Sequence, residues 1–258
     1  MILEIFTGSF EYSFKNKKAI ASVIKVGILS LLSFLILPLL LVFGFSYRVI
    51  LIGLTGSMSY TTDPMPNFNN LRKMFIQGLK VFLVGFIYFL PTIAIISISL
   101  VNGINNINIT TILNFTINFN FNLIFFIFLI VSFIGFIFTT VAIPHMVNNN
   151  GSISYAFKIK DLIKLIRYTA IVNYLWFFII SIILLLVFAF ATFIISQLLI
   201  TGIGVIHMAL YSTDISIRIY TALNVIMFLI FFLFSMGLYT IIESRFMSFI
   251  YNEDGLEE

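Results

Sequence analysis

The sequence predicts an all-α, polytopic integral membrane bundle, and three observations carry that prediction. Hydrophobic residues make up 61% of the 258 residues and charged residues 9%, with mean hydropathy +1.14. A soluble domain is about half apolar and a quarter charged, so a globule of this composition has too little polar surface to face water on all sides. Second, the apolar residues gather in continuous runs. A hydrocarbon core about 30 Å thick takes roughly 20 residues of helix, and several runs reach that length. Third, the runs do not alternate as the strands of a membrane barrel do, which leaves helices to satisfy the backbone in lipid.

The first apolar stretch, residues 19–55, is too long for one span and short for two, and Pro38 divides it. Residues 81–101, 121–143, 169–195 and 219–242 form four clearer runs. Lysine and arginine then set the count, because they favour the cytoplasmic side. Lys15, Lys17 and Lys18 precede the first stretch. Arg72, Lys73 and Lys80 precede the next run, and Lys158, Lys160, Lys164 and Arg167 precede residues 169–195. Residues 102–120 carry no basic group, and residues 196–218 carry only Arg218. If the basic segments are cytoplasmic, the chain must go out and back before Arg72. The first stretch therefore divides into helices over 19–37 and 38–55. This gives about six transmembrane helices with both termini cytoplasmic, or five if the stretch is one kinked helix. Residues 1–14 lack the basic cluster of a cleavable signal, so residue 19 onward reads as a retained span of a cell-membrane protein.

Amphipathic interfacial helices are expected before the hairpins. Phe68, Leu71, Phe75, Leu79 and Phe82 recur at helical spacing, with Arg72, Lys73, Gln77 and Lys80 off that face. Ile153, Ala156, Leu162 and Ile166 mix with lysines in the third segment, and Ile2, Ile5, Phe6 and Phe10 precede the first. Such helices lie at the lipid surface with basic groups near anionic head groups. The expected organisation is one transmembrane domain, 1–258, in hairpin units 1–60, 61–150 and 151–251 with a short acidic tail, 252–258.

Short motifs carry a resemblance. They are Gly44-Phe45-Ser46-Tyr47-Arg48-Val49-Ile50, Pro66-Asn67-Phe68, residues 74–82 beginning Met74-Phe75-Ile76-Gln77-Gly78, and Ala156-Phe157. In these the chain resembles the multi-pass membrane proteins grouped as domain of unknown function 4013, met mainly in archaea. Phe45 stands where that family usually has Tyr. Its acidic residues around the Pro-x-Phe motif are mostly Asn here, with Asp63 left. The resemblance implies a fold type and no activity.

Arg48 is the leading site candidate, because a charge in hydrocarbon is costly and points to function. With Tyr47 and with Lys80 of the second basic cluster it forms a candidate lipid or anion contact. The alternative is that Arg48 snorkels to the inner head groups, as Lys25 is expected to do. His145 and His207 fall on opposite sides, so they cannot share a metal. Asn173 is placed to bond between helices, and Tyr174 with Trp176 to join an aromatic belt. Asn108 and Asn114 head glycosylation sequons in a loop assigned outside. The absence of Cys removes disulfides and thiolate chemistry.

The sequence holds no intramembrane carboxylate, since Glu243 falls at the end of its run, and this argues against ion-coupled transport. No catalytic pair, metal site, cofactor motif or nucleic-acid patch is recognisable. The expected role is non-catalytic: lipid binding or membrane scaffolding, with membrane lipids and other membrane proteins as partners. A transporter or channel for a small apolar or lipid-like solute is the alternative, and a membrane-embedded enzyme is a third.

Overall fold

The computed structural model describes residues 2–56, 63–104, 123–168, 171–210 and 213–253. Apart from residues 63–70 and short turns they are helical, with no strand among the described residues. The helices are α1 (Ile2–Phe14), α2 (Lys17–Leu31), α3 (Ile36–Thr55), α4 (Leu71–Ile104), α5 (Leu123–Asn148), α6 (Ile159–Tyr168), α7 (Ile171–Leu210) and α8 (Thr213–Glu253). The predicted all-α polytopic bundle is what the chain forms.

The first apolar stretch does divide into two helices. The break lies at a 3-10 turn, Leu32–Phe34, and an extended Leu35 (φ −90°, ψ 131°). Pro38 sits in the first turn of α3, where backbone N–H groups have no intrahelical acceptor and a missing one costs nothing. Asn16 opens α2, its side chain accepting from the Ala19 N–H at 2.8 Å. The second amphipathic segment is the first turns of α4, which runs on without a break and absorbs Pro91. The first forms α1, and the third divides into a 3-10 helix, Ile153–Phe157, and α6. Pro144 likewise lies inside α5 without ending it.

Among the described residues, five helical segments are long and apolar enough to cross a bilayer: Ile36–Thr55, Leu71–Ser97, Phe126–Asn148, Val172–Ile194 and Phe228–Asn252. α2, with 15 residues, rises only about 22 Å. Apolar exposure is high, as lipid contact demands. Phe190 is 65% exposed and Leu186 59%.

α8 is the hub. α2, α7, α3 and α1 all pack against it, while α4 joins α3 to α5. Without a hydrophobic force between helices in lipid, small residues decide how closely backbones approach. A Cβ on Gly27 of α2 would strike the Leu233 backbone of α8, and one on Gly237 would strike the Val23 carbonyl. Gly44 and Gly78 do the same for α3 and α4, against Met74 and the Leu40 carbonyl. These contacts place the α2–α3 turn beside the middle of α4 and α8, and both long helices continue beyond it.

Tyr174 is fully buried and packs with Val141, Met146 and Phe246, not in an aromatic belt. Trp176, two residues on, is half exposed. Successive helical positions turn by about 100°, so the two aromatics cannot share a face.

Candidate functional site

Loops and helix ends from distant parts of the chain meet at the basic end of the bundle. α3 delivers Arg48 there, and the side chain is held by four hydrogen bonds. Nε donates to Gln77 Oε1 at 3.1 Å, Nη1 to the carbonyls of Asn67 (2.5 Å) and Asn69 (2.8 Å), and Nη2 to that of Asn70 (3.2 Å). Asn70 has φ 54°, a left-handed conformation that Asn tolerates better than most residues. Its carbonyl also accepts from Met74 N–H at 3.0 Å, starting α4. Arg48 therefore shapes the approach to α4.

Lys80 Nζ donates to the Gly151 carbonyl at 2.6 Å. The Asn149–Gly151 turn ends α5, with Asn150 at φ 56° and Gly151 at φ 68°. Gly151 N–H returns to the Met146 carbonyl at 2.9 Å, as left-handed helix caps do. A Cβ at Gly151 would also strike the Tyr47 hydroxyl. Tyr47, Arg72, Lys73, Gln77, Lys80 and Asn150 thus line one groove of about 410 Å³. The structure brings Tyr47 and Lys80 together, with Arg48 beside them as a positioning residue bonded to the groove's Gln77 and Asn70. Asn108 and Asn114 lie outside the described residues, as does the side chain of His207.

Lys25 lies over the Phe68 ring at 5.4 Å. His145 Nδ1 meets the Tyr251 hydroxyl at 2.9 Å, tying α5 to the end of α8.

Two groups were invisible to run-length reasoning. Arg245 of α8 is fully buried and pairs with Asp63. Its guanidinium sits over the rings of Tyr12 (4.6 Å) and Phe249 (4.9 Å). Tyr12 in turn donates its hydroxyl to the Pro64 carbonyl at 2.8 Å, and burial raises its pKa. Lys15, lying over Tyr12 at 4.3 Å, is pushed below the ordinary lysine range by burial and by the Arg245 charge. The sequence signal for this cluster was the small-polar pattern Ser244, Arg245, Ser248 on a helix whose Gly53 neighbour has no side chain.

The second group is Glu243, and here the sequence expectation is corrected. Run length places it at a helix end, but α8 continues to Glu253. Its carboxylate accepts from Ser181 Oγ of α7 at 3.0 and 3.1 Å. It borders a cavity of about 400 Å³ among α3, α4, α5 and α8, walled by Phe43, Phe82, Phe86 and Phe89.

None of the curated proteins and none of the solved structures matches this chain. One family does, over residues 28–197. That stretch runs from α2 into α7 and contains Arg48, Asp63, the basic groove and the aromatic wall of the cavity. The chain belongs to the family described as Protein of unknown function (DUF4013).

Proposed function

We propose that this protein is a non-catalytic membrane component that binds anionic lipid at its basic end. The groove of Tyr47, Arg72, Lys73 and Lys80 carries the reading. The residues named as lining it include three cations and no carboxylate, and amide and phenol groups beside them add donors for phosphate oxygens. Leu71, Ile76 and Leu79 are exposed on the same stretch of α4, so acyl chains would have apolar surface beside the head group. Under this reading the basic end faces the cytoplasm, where anionic lipid attracts lysine and arginine. A second reading, movement of a small apolar solute, draws on the cavity beside Glu243.

The test is lipid retention by native mass spectrometry, comparing phosphatidylglycerol with phosphatidylcholine. Each basic residue near an anionic surface contributes about 1 kcal/mol, so Arg72→Ala/Lys73→Ala should weaken phosphatidylglycerol binding by roughly 30-fold. Equal retention of the two lipids, or an unaffected double variant, sinks the proposal.

A further inference from the structure

Seven helix glycines with defined surroundings are of two kinds. A Cβ on Gly27, Gly44, Gly53, Gly78 or Gly237 would collide with a neighbouring helix, and one on Gly135 would come within 3.0 Å of the Tyr88 carbonyl. Each is explained by close packing. Gly85, inside α4, is different: a Cβ there meets nothing within 4 Å. Glycine in a helix interior is unfavourable relative to alanine, and no neighbour requires it here. What Gly85 does is leave space, because it lines the cavity that Glu243 borders.

The cavity has the size and make-up of a ligand pocket, mostly apolar with a few convergent polar groups. Its volume is about 400 Å³. Aromatic rings form one side, with Phe82 near Phe43 and Phe86 at 6.1 and 5.9 Å between centroids. Phe86 is 44% exposed, so the cavity opens on the outer surface of the bundle, where hydrophobic molecules arrive from lipid. On the other side stands Glu243. Its bonded neighbours Ser181 and Tyr239 are both neutral groups, and Arg245, two residues on, is committed to Asp63. A carboxylate in an apolar setting calls for a cation, and aromatic faces attract one as well.

From this we infer that the cavity is a binding site for a hydrophobic amine, its ammonium against Glu243 and its hydrocarbon along the phenylalanine wall. The site is separate from the basic groove and does not rest on the lipid reading, since the ligand carries no phosphate.

The test uses n-decylamine, with n-decanol as the neutral match, titrated into purified protein in a neutral-lipid nanodisc. Saturable binding is read by native mass spectrometry and by thermal shift. Wild type should bind the amine at least about tenfold more tightly than the alcohol. Glu243→Gln should bring the amine down to the alcohol's affinity. Gly85→Leu should obstruct the cavity beside Phe82 and Phe86 and weaken saturable binding of both by at least about tenfold while the melting temperature is held or raised, which separates an obstructed site from an unfolded one. Equal binding of amine and alcohol to wild type overturns the assignment. So does an amine that keeps its advantage over the alcohol in Glu243→Gln, or its wild-type affinity in Gly85→Leu. Phosphatidylglycerol retention, measured in the same variants, should not change, so failure here is distinguishable from failure of the groove.

Discussion

Arg245 and Asp63, 182 residues apart in the chain, form a buried ion pair that fastens the segment before α4 to the hub helix α8. The pair is closed in by Tyr12 of α1, so three separate parts of the chain converge on one guanidinium. Burying two charges is expensive, and removing one partner leaves the other uncompensated at a cost of about 3–5 kcal/mol. Asp63→Ala should therefore destabilise the protein by about that amount, measured by chemical or thermal unfolding in detergent. Replacing both residues with apolar ones should recover much of the loss. An additive double variant would mean the pair does not couple the two elements.

The glycine contacts give a prediction of opposite signs. Gly78→Ala drives a methyl into the Leu40 carbonyl, and overpacking typically costs about 1–3 kcal/mol. Gly85→Ala places the same methyl in open space and should stabilise by about 0.5–1 kcal/mol through helix propensity alone. The two substitutions are chemically identical and lie on one helix, so matched melting curves isolate the environment. Equal shifts would show that α3 and α4 are not in contact at Gly78.

How legible all this was depends on which physics each element obeys. The long apolar runs announced α4, α5, α7 and α8 because lipid imposes a length on them. The split near Pro38 was legible from basic-residue placement, although the break itself falls at Leu32–Leu35. The site was harder. Arg48 was visible as a charge in an apolar run, but its acceptors are backbone carbonyls of Asn67, Asn69 and Asn70, which any sequence offers everywhere. Arg245 and Glu243 were hidden because α8 extends past the end of its apolar run. A hydropathy boundary marks where the sequence stops being apolar, not where the helix stops or where burial by other helices begins.

Arg48 should behave as a positioning residue. Its four bonds hold residues 67–70 and the start of α4, and hydrogen bonds from a charged group contribute about 1.5–3 kcal/mol each at most. Arg48→Lys keeps the charge but cannot span three carbonyls and Gln77 together. Hydrogen exchange over residues 67–78 should quicken in Arg48→Lys, with little change in α7. Unchanged exchange combined with lost phosphatidylglycerol binding would instead make Arg48 a direct lipid contact.

The last prediction concerns how deep the α2–α3 hairpin goes. Leu40 lies against Gly78, and α3 begins only four residues earlier at Ile36, about 6 Å further along. From Gly78, α4 continues to Ile104, a rise of about 39 Å. The hairpin tip therefore stops well short of the far end of α4. Phe34, Ile36 and Leu37 at that tip are 78%, 75% and 63% exposed, a surface that suits hydrocarbon and not water. The expected outcome is a hairpin that enters the bilayer and returns without emerging. The chain has no native Cys, so single cysteines report cleanly. A membrane-impermeant maleimide should reach Asn106→Cys and Ser212→Cys from outside, and Asn16→Cys and Ser152→Cys only after permeabilisation. Ser33→Cys should resist labelling from both sides until the protein is denatured. Labelling of Ser33→Cys from outside would mean that α2 crosses fully despite its 15 residues, with the bilayer thinned around it to meet its short length.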